Sequence, residues 1–296
     1  MKKDCACFKK NKWFFEEELP GGKPYTKIGI RLKRKIFSGK SRYQKIEVFD
    51  SYEFGRMLVL DGLIQLTKKD EFIYHEMITH PALFSHPNPK NILIVGGGDG
   101  GALREVLKHP IREAYLVDID KKVIETFQKY LPFVSKGAFK NKKAKVFIED
   151  GMKFIKKYKD FFDIVIIDLT DPSGPSLPLF SLKFYRDVWR ALAKDGIVVT
   201  QSGSLLLQFP QVKMISKSLR KIFSSVKIHR TCIPCFFDGE FSFTLGSKRV
   251  NLDKANFEKI KERYEKLKLK TKYYSPEIHF SSAVLPKHHR QNLKIK

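Results

Sequence analysis

An apolar strand that runs directly into a glycine-rich turn constrains the fold of this chain more than any other segment. The stretch 91–101 reads NILIVGGGDGG, and Asp99 is the one carboxylate among its glycines. Because glycine has no Cβ, such a turn lets a ligand approach the backbone closely. A second apolar strand, AYLVDID (114–120), places Asp118 about twenty residues further on, where a carboxylate can bind the hydroxyls of a ribose.

Two further apolar strands also end in acidic residues. The segment AKVFIED (144–150) is one of them, and FDIVIIDLTDP (162–172), which contains Asp168 and Asp171, is the other. The carboxyl ends of parallel strands meet at one edge of a sheet, so we expect these acids to line one pocket. The pattern predicts a nucleoside ligand that carries cationic groups.

The placement of the acids narrows the choice of ligand. A glycine turn alone is a weak signal, because NAD, FAD and S-adenosylmethionine sites share it and it can also be purely structural. Asp99 would repel a pyrophosphate, whereas Asp150-Gly151 suits the amino group of adenine, so an adenosyl sulfonium is favoured. Asp168 and Asp171 could be solvated acids that cap the next helix. Together with Asp99 they instead predict a polycationic substrate.

The order of elements predicts an α/β fold with a doubly wound, Rossmann-like (class I methyltransferase-type), mainly parallel sheet and a small N-terminal all-β domain. Residues 1–65 alternate apolar and polar positions, with Asp61-Gly62 as a hairpin turn, and form the β domain. Residues 66–296 form the Rossmann-like catalytic domain. Its predicted helices lie at 72–84, 101–110, 121–131, 152–159, 181–194, 211–223 and 253–268, with a strand at 196–201.

The net charge of +25 allows two interpretations. A nucleic-acid partner would need a basic face, but the Lys and Arg residues are scattered and no nucleic-acid motif occurs. A lysine-rich surface, as in thermophile proteins, is the better interpretation, and we predict no nucleic-acid partner. No run of eighteen apolar residues and no apolar leader occur, so we expect a soluble, cytoplasmic protein without a membrane span.

Four cysteines form two pairs, Cys5/Cys7 and Cys232/Cys235. A four-thiolate zinc site is disfavoured, because a CxC spacing is unusual for zinc and the pairs lie far apart in the sequence. A redox role for the second pair is also disfavoured, because no strand-then-helix context follows it. Buried thiols, or a disulfide if the source is a hyperthermophile, are the better interpretation, and we predict no metal site.

With these residues in place, the chain resembles the polyamine aminopropyltransferases, the spermidine synthase group, over nearly its whole length. The resemblance implies transfer of an aminopropyl group from decarboxylated S-adenosylmethionine, a co-substrate, to an amine, with release of methylthioadenosine and without a cofactor. It also implies a homodimer or homotetramer joined partly through the N-terminal β region. The matching stretches are SRYQKIEVF, LVLDGLIQLTKKDEFIYHEM, HPNPKNILIVGGGDGGALREVLKH, DLTDPSGP and KYYSPEIHFSSAVLP.

The resemblance implies roles for individual residues. Asp99 would bind the terminal ammonium of the donor, and Asp168 would take the proton of the acceptor amine. His75 would otherwise be read as a packed helix histidine. The adenosine and thioether part of the donor would be held by Gln44, Gly96, Gly98, Asp118, Asp150, Gly151 and Pro175. The catalytic residues would be Asp168, Asp171 and Tyr74. The acceptor would be positioned by Tyr74, His75 and Asp171, with Asp99, Asp168, Gln201, Phe236 and Asp238 also in its pocket.

Several positions depart from a typical spermidine synthase. Asp118 stands where Glu is usual, Gly203 replaces a Glu, and Phe236 replaces a tyrosine of the acceptor pocket. Gly203 would open room there, and Asp238 would offer a shifted carboxylate, as in the similar stretches of thermospermine synthases. The acceptor is therefore either putrescine or a longer amine such as spermidine. Replacing Gly203 with Glu would be expected to favour putrescine.

Three further expectations concern the mechanism and its alternatives. The loop 169–180 could close over both substrates and exclude water. An S-adenosylmethionine-dependent methyltransferase acting on nucleic acid is the competing enzyme, although Asp99, Asp168 and Asp171 would repel phosphate. A scaffold without catalysis is disfavoured, because the proposed base and the donor-binding set are all present.

Overall fold

The computed structural model describes residues 13–16, 29–172, 174–236 and 239–294 of this chain. Cys5, Cys7 and Asp238 lie outside the described residues, as do residues 1–12 and 17–28 of the predicted β domain. Within the described ranges the chain forms two sheets, which the helices flank.

The N-terminal sheet is antiparallel, and its strands follow one another in chain order. Asp61 and Gly62 form the predicted two-residue hairpin, and both have positive φ, +48° and +87°. The last strand runs to Thr67, and the domain boundary at residue 65 stays a prediction. The strands are β1 (Trp13–Phe15), β2 (Gly29–Lys40), β3 (Lys45–Ser51), β4 (Arg56–Leu60) and β5 (Leu63–Thr67).

The second sheet has the order β11-β12-β10-β9-β6-β7-β8. Its strands are β6 (Asn91–Gly96), β7 (Glu113–Asp118), β8 (Ala144–Ile148), β9 (Phe162–Asp168), β10 (Leu192–Ser204), β11 (Ser225–Cys232) and β12 (Glu240–Ser247). Strands β6 to β10 run parallel, and β12 is antiparallel to both of its neighbours. The predicted mainly parallel, doubly wound sheet is confirmed. The chain leaves β6 towards β7 and β8 and returns on the other side at β9, so a crevice opens between the carboxyl ends of β6 and β9.

Helices cover both faces of this sheet. Each predicted helix is present, but several are shorter than predicted; α6 ends at Ala191 because the chain already pairs with β9 at Leu192, opposite Phe162. The helices are α1 (Glu71–Ser85), α2 (Gly101–Val106), α3 (Lys121–Tyr130), α4 (Pro132–Ser135), α5 (Gly151–Ile155), α6 (Leu182–Ala191), α7 (Phe209–Arg220), α8 (Phe257–Leu267), α9 (Pro276–Ser281) and α10 (Lys287–Leu293). Among the helices in the described ranges, none is long and apolar enough to cross a bilayer.

The central strands are buried on both sides, which explains their continuous apolar sequence. Alternate residues of β6 belong to different cores: Ile92 and Ile94 pack in the cluster that includes residues of α1 and α2, whereas Leu93 and Val95 pack in the cluster of α5 and α6. Full burial of one such side chain contributes about 1.5–3 kcal/mol. The strand that ends in the glycine turn is therefore held rigidly.

A buried carboxylate joins α1 to the C-terminal part of the chain. Glu76 accepts hydrogen bonds from the backbone N–H groups of Lys272, Tyr273 and Tyr274, each with a distance of 2.8 Å. Tyr274 is itself buried against Phe84 of α1, with parallel rings 5.5 Å apart. The carboxylate thus satisfies backbone donors in a segment that has no regular secondary structure of its own.

We predict that Glu76→Gln lowers the free energy of unfolding by about 2–3 kcal/mol, because an amide N–H₂ would then face backbone donors. Denaturant unfolding measures this change. The matched control is Glu262→Gln on the exposed face of α8, which should change stability by less than about 0.5 kcal/mol. Equal unfolding midpoints for the two variants would contradict the role given to Glu76.

Candidate active site

A cavity of about 790 Å³ opens at the carboxyl ends of β6, β7 and β9. Every predicted site residue that lies in the described ranges lines it, although the role of each one stays a prediction. These residues are Gln44, Tyr74, His75, Gly96, Gly98, Asp99, Asp118, Asp150, Gly151, Asp168, Asp171, Pro175, Gln201 and Phe236. The structure therefore brings together residues that are spread from the N-terminal sheet to the segment after β11.

The glycine turn after β6 packs directly against the carboxylate that ends β7. A Cβ on Gly98 would lie 2.5 Å from Oδ2 of Asp118, so no other residue fits there without a shift. Asp118 accepts hydrogen bonds from the backbone N–H of Gly98 (3.0 Å) and of Asp120 (2.8 Å). Burial raises the pKa of Asp118 to about 6, against these hydrogen bonds. Its carboxylate is held where the ribose was predicted.

Gln44 reaches this edge from the N-terminal sheet through a residue that sequence analysis missed. Its Nε2 donates to Oδ2 of Asp120 (3.1 Å), and the hydroxyl of Ser41 donates to the same oxygen (2.6 Å). Asp120 also caps α3 by accepting from the N–H of Lys122. Asp120 is buried and lies two positions after Asp118 in AYLVDID. This pair of acids was the sequence signal that could have identified it.

Asp99 is held by two donors. Its Oδ1 accepts from the backbone N–H of Gly101 (2.5 Å), and its Oδ2 lies 3.3 Å from Nε2 of His75. Burial alone would raise the pKa of Asp99, but the charge and hydrogen bond of His75 lower it below its ordinary value. Burial would likewise lower the pKa of His75, but Asp99 and Glu71 raise it to about 10. Asp99 is therefore a fixed anion.

Asp168 lies at the end of β9 and is almost completely buried. The hydroxyl of Tyr74 donates to its Oδ1 (2.7 Å), while its Oδ2 accepts no hydrogen bond from any described residue. Burial and the negative charge of Asp99 raise the pKa of Asp168 to about 7, opposed by His75 and Tyr74. A buried carboxylate oxygen without a donor calls for a ligand that donates hydrogen bonds.

Asp171 lies among amide side chains. Nε2 of Gln208 donates to its Oδ2 (2.8 Å), and burial raises its pKa, opposed by hydrogen bonds from Gln208 and other glutamines. Gln201 donates to the backbone carbonyls of Leu169 (3.2 Å) and Thr170 (3.3 Å), while its own Oε1 accepts from no described residue. Gln208 was missed because nothing in its local sequence distinguishes it from a solvent-exposed glutamine.

The remaining predicted residues form the walls of the cavity. Asp150 accepts from the N–H of Met152 and so caps α5. The ring of Tyr74 is fixed edge-on by Phe236 (6.3 Å between centroids) and Phe243 (5.3 Å). Glu16, next to β1, also lines the cavity, and its Oε1 accepts from the N–H of Ile64. This carboxylate was not anticipated from the sequence.

The interpretation of Gly203 as a residue that opens the acceptor pocket is wrong. Gly203 has φ +87°, and a Cβ there would lie 2.6 Å from Oε1 of Gln208 and 2.9 Å from Nε2 of Gln211. The space beside it is filled rather than empty, because the side chains of Gln208 and Gln211 occupy it. The pairing with β12 also shifts register between Gln201 and Gly203. A Glu at this position would be strained, so the expected shift towards putrescine no longer follows.

Cys232 and Cys235 are free thiols, so the disulfide interpretation is wrong for this pair. Cys235 is buried next to Asp70, as expected of a structural thiol, whereas Cys232 is exposed. A metal ion would find potential ligand atoms of His75, Asp99 and Asp168 within 4.8 Å of one another. It would have to replace the proton on Nε2 of His75, and we assign these groups to amine recognition. The absence of a metal stays a prediction.

The fold and the cavity together define a class of protein: a Rossmann-like fold with an acidic cavity suited to a nucleoside that carries amines. Two family profiles match the chain, a spermine/spermidine synthase domain over residues 71–256 and a spermidine synthase tetramerisation domain over residues 12–68. The chain belongs to the spermine/spermidine synthase family.

Curated relatives and solved structures agree with this membership. The polyamine aminopropyltransferase of Thermoanaerobacter sp. (strain X514) is 40% identical over 93% of this chain and 96% of its own length. That of Clostridium tetani is 42% identical over 93% and 95%. A spermidine synthase in complex with the transition-state analogue AdoDATO has a TM-score of 0.91, with 35% identity over 97% of this chain and 96% of that one. Spermidine synthase from Thermotoga maritima has a TM-score of 0.89, with 34% identity over 97% and 95%.

We predict that Gly203→Ala destabilises the protein more than Gly137→Ala does. Both glycines have positive φ, +87° and +83°, so both alanines carry the same backbone strain, on the order of 1–3 kcal/mol. Only at Gly203 would the new Cβ overlap neighbouring side chains; at Gly137 no atom lies within 4 Å. Denaturant unfolding gives the difference, and equal losses would show that the space beside Gly203 is open after all.

Proposed function

We propose that this protein transfers the aminopropyl group of decarboxylated S-adenosylmethionine to an amine and releases methylthioadenosine. The observation that carries the proposal is the pair Asp99 and Asp168, a fixed, partly buried anion and a buried carboxylate with one oxygen unpartnered among the described residues. Such a pair suits two ammonium groups, one on the donor and one on the acceptor. The family membership and the names of the relatives support the same reaction.

The reaction needs an amine nitrogen that is free of its proton. Removing the proton from an aliphatic amine with a pKa of about 10.4 costs about 4.6 kcal/mol of free energy at pH 7. In the proposed step the nitrogen lone pair attacks the carbon next to the sulfonium, the C–S bond breaks, and its electron pair goes to sulfur. The ammonium proton passes to Asp168, whose pKa of about 7 suits a general base at neutral pH.

The proposed roles of the other residues follow the layout of the cavity. Asp99 would bind the donor's ammonium, and Tyr74 would hold Asp168 in place through its hydroxyl. His75 would act on the amines indirectly, since both of its ring nitrogens face carboxylates. The adenosine part would lie against Gln44, Gly96, Gly98, Asp118, Asp150, Gly151 and Pro175, and the acceptor against Asp171, Gln201 and Phe236. Asp238 lies outside the described residues, and its role at the acceptor stays a prediction.

Gly203 gives no extra room in the cavity, so it does not distinguish a short acceptor from a long one. The acceptor side of the cavity carries the amides of Gln201 and Gln208 and the ring of Phe236, and Glu16 adds a carboxylate to the cavity wall. A diamine such as putrescine and a triamine such as spermidine remain the two candidates.

The experiment that tests the proposal is product analysis with decarboxylated S-adenosylmethionine and, separately, putrescine, cadaverine, agmatine and spermidine. We expect methylthioadenosine together with one preferred aminopropylated amine. Asp168→Asn should lower kcat by about 10²–10⁴-fold, the usual contribution of a general base, whereas Asp253→Asn on the surface should not. No turnover with any amine, or a methylated product from unmodified S-adenosylmethionine in a parallel reaction, would refute the proposal.

We also predict that Tyr74→Phe moves the acid limb of the pH profile of kcat/KM to higher pH. The Tyr74 hydrogen bond lowers the pKa of Asp168, so its loss raises that pKa above about 7. Activity that needs ionised Asp168 disappears as the pH falls through this pKa, so the limb should shift upward by roughly one pH unit.

The matched control for this prediction is Tyr264→Phe. The Tyr264 hydroxyl hydrogen-bonds Thr271 and does not line the cavity, so its removal should leave the profile in place. An unchanged acid limb in the Tyr74 variant would mean that Asp168 is not the group whose titration limits the reaction.

Several expectations complete the proposal. A homodimer or homotetramer is supported by the tetramerisation profile over residues 12–68. Trp13 and Phe15 of β1 are exposed in the single chain, as expected of a strand that takes part in assembly. The nucleic-acid methyltransferase alternative is not supported by the relatives. A cytoplasmic location, the absence of a cofactor and closure of the loop 169–180 stay predictions.

A further inference from the structure

A network of buried charged side chains lies behind Asp99, on the side away from the cavity. Nδ1 of His75 lies 2.7 Å from Oε2 of Glu71, on the side of the ring opposite to Asp99. Arg104 then binds both oxygens of Glu71, at 3.1 Å and 3.0 Å, and also Oε1 of Glu105 at 2.7 Å. All of these groups except Asp99 are nearly inaccessible to water. The aminopropyl-transfer chemistry proposed above uses none of the three residues beyond His75.

The geometry around His75 determines its charge state. Each ring nitrogen faces a carboxylate, and a carboxylate oxygen can only accept. Both nitrogens must therefore carry a proton for the two contacts to be hydrogen bonds, which makes the ring an imidazolium. Arg104 and His75 keep the pKa of Glu71 below its ordinary value although burial alone would raise it, so Glu71 is ionised.

Glu71 lies one helical turn before His75 on α1, and Arg104 lies on α2, which starts directly after the Asp99 turn. The ion pair between Glu71 and Arg104 therefore joins the helix that carries His75 to the helix that follows Asp99. Residues at i and i+4 share one helix face, so the helix itself brings Glu71 and His75 within contact distance.

We propose that Glu71 is a positioning residue that holds His75 as a doubly donating imidazolium and thereby fixes the Asp99 carboxylate for the ammonium of the donor. Glu71 itself does not line the cavity and touches no substrate. It acts through His75, in the way that a second carboxylate orients a histidine in many functional sites. The inference rests on the proposed function for the identity of the donor.

The charged and titratable groups that face the His75 ring come from several elements. They are Glu71 and Tyr74 on α1, Asp99 in the turn after β6 and Asp168 at the end of β9, and Arg104 on α2 binds the Glu71 carboxylate. The two carboxylates in direct contact favour the protonated ring, whereas Arg104 makes its contacts with Glu71 and Glu105. Without Glu71, one nitrogen of His75 would lose its acceptor and Arg104 would lose a counter-ion.

The first test uses the unmodified protein and needs no enzyme assay. Histidine is labelled with ¹⁵N, the His75 signals are assigned by their loss in His75→Gln, and the ring is titrated by NMR. We expect both ring nitrogens to stay protonated well above neutral pH. A midpoint near about 6.5, the value of an unperturbed histidine, would overturn the proposal whatever any variant does.

The second test compares Glu71→Gln with Glu105→Gln, a matched control. Both variants remove one buried carboxylate from Arg104, but only Glu71 touches His75. For Glu71→Gln we expect a fall of at least about one pH unit in the His75 midpoint and a roughly tenfold rise in the donor's KM, with a smaller change in kcat. Glu105→Gln should lower the melting temperature but leave the His75 midpoint and the donor KM unchanged.

The conservative variant Glu71→Asp keeps the charge and should restore most of the His75 midpoint. If Glu71→Gln does not fold, this variant and the titration of the unmodified protein still decide the matter. A Glu71→Gln protein that is folded, turns over, and keeps the midpoint and KM of the unmodified protein refutes the positioning role alone. Absence of turnover in the unmodified protein would instead refute the proposed function and leave the titration to judge Glu71.

Discussion

Burying several carboxylates around one cavity costs free energy, because each loses its hydration and repels the others. The chain distributes this cost unequally. His75 lowers the pKa of Asp99, so that this residue keeps its charge, whereas burial raises the pKa of Asp118 to about 6 and that of Asp168 to about 7. The site therefore combines a permanent anion with a group that can exchange a proton near neutral pH. The glycine turn, the edge-on aromatic rings and the amides around Asp171 all serve to keep these groups in fixed positions.

The two sheets contribute to this arrangement in different ways. The parallel sheet brings Gly96 and Asp168 side by side at the crevice, since these residues are paired in β6 and β9. The antiparallel sheet contributes Gln44 and Glu16 from the opposite side, and Gln44 is oriented by Asp120 of the parallel part. A cavity closed from two sides excludes water more effectively than an open strand edge, and this strengthens the electrostatic interactions inside it.

The sequence was sufficient for the features that depend on local order along the chain. Strand ends carry the acids, so Asp118 and Asp168 could be placed at one edge of the sheet before any coordinates. Contacts made across the chain could not be predicted in this way. Gln208 fills the space beside Gly203, and nothing in the sequence of this segment indicates that contact. The contact between Glu71 and His75 could have been predicted from the sequence, because the two residues are four positions apart on one helix. The ion pair between Glu71 and Arg104 could not, because it depends on how two helices pack.

The hydrogen bonds between Glu76 and the backbone of residues 272–274 have a consequence for folding during synthesis. The helix that carries Tyr74 and His75 keeps a buried carboxylate whose backbone donors, at Lys272, Tyr273 and Tyr274, lie 196–198 residues further along the sequence. The helix therefore leaves the ribosome long before residues 272–274, which it binds, have been synthesised. The cavity wall formed by the helix can therefore reach its final stability only after synthesis has passed Tyr274. A chain truncated before Tyr273 and Tyr274 would expose an incompletely packed acidic site.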